Sequence, residues 1–292
     1  MNWQVALVLW YLACVGQALW QRTYAQKSEL PETSPPALSY VLAVAPLGIV
    51  VGLSSSHHVD WSGWLLFLLV VEGIFIGAFN WLMFVAIRRL PVATFQLVFQ
   101  TYAVVTIALG WILLRETLTT PQLAGGVLLL IAAAVATQAP VAAVNGAPKN
   151  HHTRAIILTL LAAVTLGIGL VTEKAALQYM DIGAYFIFGF ATQTLALIAL
   201  AGKDMRRKAL GRIRQHDLKR SFIMGAFSAL VGFFYIYAIQ HSNNISLITV
   251  LGAFSLPLIV LASYIFLRER ENTRRMTIAA TLGCLGIIVT AL

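Results

Sequence analysis

Apolar residues gather along the chain in runs of about twenty, and the short segments between the runs carry nearly all of the charge. The runs fall near 3–22, 38–54, 62–87, 92–114, 118–138, 154–177, 183–201, 219–240, 245–267 and 274–291. The hydrocarbon core of a bilayer is about 30 Å thick and takes roughly 20 residues of helix at about 1.5 Å each. The pattern therefore predicts an all-α membrane protein of about ten spanning helices. Turn-like segments at 31–36, 54–60, 88–91, 140–150 and 243–244 separate them, and none reads as a soluble domain. The 139–153 stretch, with Pro140, Asn145-Gly146, Pro148 and Lys149, reads as a linker between residues 1–140 and 150–292. The first run opens at Trp3 without a basic segment before it and contains Gln17 and Gln21, so it is expected to be a spanning helix and not a cleaved signal.

Composition fixes the solvent. Hydrophobic residues make up 59% of the chain and charged residues only 11%, against about 25% charged in an ordinary soluble domain. Only lipid can face so much apolar surface. The formal net charge of +9 raises the question of nucleic acid, but its distribution answers it. Eighteen of the 20 basic residues fall in the odd-numbered loops, leaving only Arg115 and Lys174 in the even-numbered ones. Loops rich in Lys and Arg stay cytoplasmic. This places a multi-pass protein in the cell (cytoplasmic) membrane with both termini on the non-cytoplasmic side, its partners a small-molecule solute and the lipid bilayer, with no nucleic acid. A homodimer is left open.

The chain also resembles itself. Ile112-Leu113-Leu114-Arg115-Glu116 recurs as Ile265-Phe266-Leu267-Arg268-Glu269, an offset that also pairs Trp111 with Tyr264, Thr120 with Thr273 and Thr137 with Thr290. Each copy ends a long helix in a charged turn and follows it with one last apolar helix. Five crossings are an odd number, so the second copy enters the membrane from the opposite side. Such inverted repeats hold binding sites at their shared interface and give alternating access by rocking. The long helix, the Arg115-Glu116 turn, Leu118-Thr119, Gln122 and the Gly125-Gly126 helix resemble the closing pattern of each repeat in the ten-helix EamA-type branch of the drug/metabolite transporter superfamily. The resemblance covers essentially the whole chain and is strongest over 62–138 and 219–291. It implies transport of small metabolites such as amino acids, nucleotide-related compounds, sugars or drugs, commonly as efflux. Two departures stand out: Arg115 and Arg268 occupy positions where that family often has glycine, and Pro257 is matched by Val104 in the first half.

Among the carboxylates, Glu72 stands well inside a run, whereas Glu116, Glu173 and Glu269 fall at loops or helix ends. A charged group at the bilayer centre costs about 2.5–3.5 kcal/mol on insertion scales, so it faces a cavity, pairs, or carries a proton. Glu72 is the candidate for proton coupling; the plainer alternative is a protonated side chain bonded to a neighbouring helix. Trp10, Cys14, Gln17 and Gln21 share one face of the first helix, and Gln96 and Gln100 lie one turn apart in the fourth. Asn80, Ser228, Tyr235, Tyr237, Thr249 and Ser255 add donors, acceptors and rings. The expected solute path is Trp10, Gln17, Glu72, Asn80, Gln96, Gln100, Tyr235, Thr249 and Ser255, although such side chains also bond helices together without any ligand. Pro257 is expected to break the ninth helix, or else merely to kink it. Gly73 and Gly77 form a close-packing pair.

No catalytic cluster emerges. Six histidines lie in loops or at helix ends, and the two cysteines, Cys14 and Cys284, lie in apolar runs without ligand spacing. No cofactor or metal is expected, no phosphate-binding Gly-Lys-Ser/Thr loop occurs, and an enzyme is not indicated. The inverted repeat and the family resemblance imply a secondary transporter; the alternative is a channel or receptor without carrier turnover, which fits the hydropathy but leaves the duplication unexplained.

Overall fold

The computed structural model describes residues 3–55, 58–115, 119–137, 149–204, 213–242, 248, 252, 255–268 and 273–291. Thr249, Glu116, Leu118, Glu269, the 243–244 turn, most of the 139–153 linker and the centre of the basic loop at 205–212 lie outside the described residues. Ten helices are described: α1 Trp3–Lys27, α2 Ser34–Leu53, α3 Gly63–Arg89, α4 Val92–Leu114, α5 Thr120–Thr137, α6 Lys149–Ala176, α7 Ile182–Asp204, α8 Gln215–Ser242, α9 Ser255–Leu267 and α10 Thr273–Ala291. Seven of the ten, all but α5, α9 and α10, are long and apolar enough to cross a membrane. The protein is an all-α membrane protein. In hydrocarbon a backbone must satisfy its own polar groups, and a helix does so within one segment.

Local chemistry sets the ends and irregularities. The Ser62 hydroxyl caps α3 by accepting from the Leu65 amide at 3.1 Å. Pro46 has no N–H for the Leu42 carbonyl four residues earlier, and α2 widens there into a π-turn over Tyr40–Val44, closed by Ala45 N–H to the Tyr40 carbonyl. α4 is expected as one continuous helix, but it tightens at Gln100, where the Ala103 amide bonds back three residues to the Gln100 carbonyl at 3.0 Å. At the ends of α4 and α9, Arg115 (φ 53°) and Arg268 (φ 54°) both take the left-handed conformation, which explains why glycine suits this position. A non-glycine residue there costs about 1–2 kcal/mol, and glycine returns about 0.5–1 kcal/mol in lost chain entropy. Arg115→Gly and Arg268→Gly should therefore leave thermal stability in detergent unchanged or raise it slightly. Arg115→Val, β-branched in the same conformation, should lower it.

The faces of each helix divide by solvent. Along α3, Leu66, Phe67, Val70 and Ile74 are exposed, while Leu65, Leu68, Leu69, Glu72, Gly73 and Ile76 are buried. With lipid outside there is no hydrophobic drive between helices, so close contact rests on small residues and polar bonds. Gly73 and Gly77 lay α3 on Thr192 and Ala196 of α7, and Gly225 lays α8 on the Ser39 carbonyl of α2.

Two sets of loop contacts give the crossing order. On one face Arg22 donates to the Ile87 carbonyl (2.6 Å), Arg88 to the Ser28 carbonyl (3.1 Å), Arg89 pairs with Glu32 (2.7 Å), and Thr33 donates to Asp204 (3.0 Å). These bonds join the α1–α2 loop to the ends of α3 and α7. On the other face the α2–α3 and α6–α7 loops meet, through Asp60 N–H to the Tyr179 carbonyl (2.8 Å) and Asp181 N–H to the His58 carbonyl (3.0 Å). The principal packing partners are α3 with α6, α1 with α8, α3 with α7, α2 with α8, α4 with α6, α1 with α9, α2 with α7 and α5 with α10. Exchanging each helix for the one five places along converts these pairs into one another, whereas a further extensive pair, α4 with α5, has only a weak counterpart in α9 with α10 among the described residues.

Candidate functional site

A cavity of about 160 Å³ lies inside the bundle, many times the roughly 10–15 Å³ that one water centre requires. It is bordered by α1, α2, α3, α4, α6, α7, α8 and α9, so both sets of five helices contribute to it. The face of α1 recognised from its 100° periodicity points inward: Trp10, Cys14, Gln17 and Gln21 all border the cavity. Gln17 donates to Ser228 of α8 at 2.8 Å. Gln96 and Gln100 face it from α4, and Asn80 faces it from α3, donating to the Tyr40 hydroxyl and the Ile76 carbonyl, both at 2.8 Å. Tyr235 tilts against Trp10 with ring centroids 5.7 Å apart, and Phe99 stacks on Tyr102 at 5.2 Å. Ser255 completes the wall from α9.

Three polar atoms on this wall are buried without a hydrogen-bond partner: the Trp10 indole Nε1, the Gln100 carbonyl Oε1 and the Glu173 carboxyl Oε1. Their residues are 7%, 3% and 5% exposed. A buried polar group left unpaired costs about 1–3 kcal/mol, so one unpaired donor and two unpaired acceptors mark where a solute or water would bond. Among the described residues no three His, Cys, Asp or Glu side chains converge as a metal site would require.

Glu72 stands behind the cavity wall and not on it, fully buried. Eight residues separate it from Asn80, about 80° around α3, so it turns toward the seam with α7. There Tyr185 donates to its Oε1 at 2.8 Å and Gln193 to the same oxygen at 2.6 Å, with Thr192 at 3.5 Å from Oε2. Glu173, read from the sequence at a helix end, lies near the end of α6 and is buried there. Its Oε2 lies 3.1 Å from the same Tyr185 hydroxyl. Glu173, Tyr185 and Gln193 do not stand out in the sequence as site residues. The spacing of Tyr185, Thr192 and Gln193, seven and eight residues apart, puts three polar groups on one side of an apolar helix and is the available signal. Pro257 does not border the cavity. It is the third residue of the described α9; residues 253 and 254 before it, and Thr249, lie outside the described residues.

The EamA-like transporter family matches the chain twice, over residues 10–138 and 153–292. The chain belongs to this family. Its members are transporters and not enzymes. Protein PecM of Dickeya dadantii (strain 3937) is 22% identical over 259 residues, covering 89% of this chain and 83% of its own length. A solved crystal structure, 18% identical, aligns with a TM-score of 0.69 over 98% of this chain and 96% of its own; it supports the fold alone. Membership of a transporter family implies a small-molecule solute and a surrounding lipid bilayer.

Proposed function

We propose that this transporter is a secondary carrier that exports small polar metabolites such as amino acids by alternating access through the central cavity. The observation that carries the reading is the trio of unpartnered buried atoms on Trp10, Gln100 and Glu173, set among aromatic rings in a cavity that both sets of five helices border. The solute path runs over Trp10, Gln17, Asn80, Gln96, Gln100, Tyr235 and Ser255, with Thr249 as a further member. Two inverted halves are supported by the double family match, by the matching left-handed arginines and by a packing pattern that a five-helix shift largely preserves. The basic loops orient both termini to the non-cytoplasmic side of the cell membrane.

The test is counterflow in liposomes with labelled amino acids, nucleosides and sugars. Saturable accumulation of one class is expected. Trp10→Phe, which keeps an aromatic ring but removes the N–H and half of the indole, should raise the half-saturation concentration by at least about 3–10-fold, the value of one hydrogen bond. Ohmic current without saturation would replace the carrier with a channel.

A further inference from the structure

The Tyr185 hydroxyl has two carboxyl oxygens within hydrogen-bonding distance and one hydrogen to share. Glu72 Oε1 is 2.8 Å away and Glu173 Oε2 is 3.1 Å away. Two bonds across three oxygens need two hydrogens, and the phenol supplies one. A second hydrogen, on a carboxyl group, lets both bonds form at once; the phenol oxygen also accepts from Gln193 at 3.3 Å. Glu72 already accepts from Gln193 at 2.6 Å, whereas among the described residues no other side chain donates to Glu173, whose Oε1 faces the cavity without a partner. The hydrogen therefore belongs on Glu173 when Tyr185 points at Glu72.

Among the described residues no cationic side chain bonds to either carboxyl. Of the packed helices, α7 presents Tyr185, and α2 presents Tyr40, which is held by Asn80. Among the described residues no titratable side chain of α1 or α4 bonds to either carboxyl. Lys174, next in sequence to Glu173, projects about 100° away around α6.

We propose that Glu173, Tyr185 and Glu72 form a proton relay that couples the cavity to a transported proton, with Glu173 as the cavity-facing member. In one step the Glu173 O–H breaks as its proton passes to Tyr185 Oη. The Tyr185 O–H breaks as its own proton passes to Glu72 Oε1. Tyr185 ends as a neutral phenol, Glu72 as an acid and Glu173 as a carboxylate facing the cavity. The step changes the charge of the cavity wall from zero to minus one without changing the total, which lets a solute sense where the proton is. Glu72 is the sealed store, and Gln193 and Thr192 hold it in place.

The relay rests on the carrier reading, and the experiment separates the two. Proteoliposomes are assayed for counterflow and for accumulation driven by an imposed pH gradient, with lumenal pH followed by a trapped dye. Wild type is expected to show both. In Tyr185→Phe, which loses only the bridging hydroxyl, the ratio of gradient-driven accumulation to counterflow should fall at least tenfold. Wild-type counterflow with no response to the gradient, or a Tyr185→Phe ratio equal to wild type, overturns the relay and leaves the carrier. Absence of counterflow from folded wild type removes both. Infrared difference spectra supply a readout independent of transport: a carboxylic-acid C=O band present at neutral pH in wild type and missing from Glu173→Gln. No such difference band would also overturn the proposal.

Discussion

Gly73→Leu is expected to prevent stable assembly of the bundle. A Cβ at residue 73 would lie 2.8 Å from the Thr192 backbone carbon and 2.9 Å from its carbonyl oxygen. Backbone atoms of α7 cannot step aside as a flexible side chain would. Overpacking typically costs about 1–3 kcal/mol even where neighbours can adjust, and a leucine here must push two helices apart. The separation would also break the bonds from Tyr185 and Gln193 to Glu72, which sits one residue away on α3. Gly73→Ala should already lower the melting temperature in detergent, and Gly73→Leu should leave little monodisperse protein on size exclusion. Gly63→Ala is the control: the same helix has open space around that glycine, so stability should hold or rise. If Gly73→Leu behaved like Gly63→Ala, the close α3–α7 seam would be wrong.

Glu72→Leu should be nearly as damaging, for an electrostatic reason. The substitution removes an apparent insertion penalty, and by hydropathy alone it ought to help. It also strips the acceptor from the Gln193 amide and the Tyr185 hydroxyl inside a fully buried site. The Tyr185 hydroxyl keeps Glu173 Oε2 at 3.1 Å and the Gln193 amide keeps the Tyr185 oxygen at 3.3 Å, so losing the stronger bonds to Glu72 costs on the order of 1–3 kcal/mol before any change in packing. Glu72→Gln keeps an acceptor of the same shape and should hold most of the stability. The two variants, compared by thermal unfolding in one detergent, separate a polar seam from a mere cost of burial. A Glu72→Leu variant as stable as wild type would show that the bonds at this seam contribute nothing net.

The membrane fold was legible because lipid leaves one backbone solution, and apolar runs of about twenty residues announce it. The boundaries that shifted did so at polar ends: α7 runs on to Asp204, and α8 starts at Gln215 against an expected 219. Such turns project past the hydrocarbon, where hydropathy no longer marks helix. The inward face of α1 was legible too, because glutamines at Gln17 and Gln21 are poor lipid contacts and the 100° rotation gathers them with Trp10 and Cys14. Resemblance to the EamA-type pattern added the transporter class, and the double family match agrees with it. Glycine's frequency before the glutamate of that pattern also acquires a cause, since Arg115 and Arg268 are left-handed.

The order of residues alone sets the solvent of the protein, the number and rough extent of its helices, and which residues of α1 and α4 turn away from lipid. Each follows from one segment's own composition and from fixed helical rotation. Tertiary structure alone decided that Asn80 reaches the cavity while Glu72, on the same helix, is sealed behind it. It also decided that Glu173, beside a lysine at a helix end, is buried against Tyr185. Those outcomes depend on which helix lies against which and at what rotation. Contacts between groups 113 residues apart, as for Tyr185 and Glu72, leave no periodic trace in either segment.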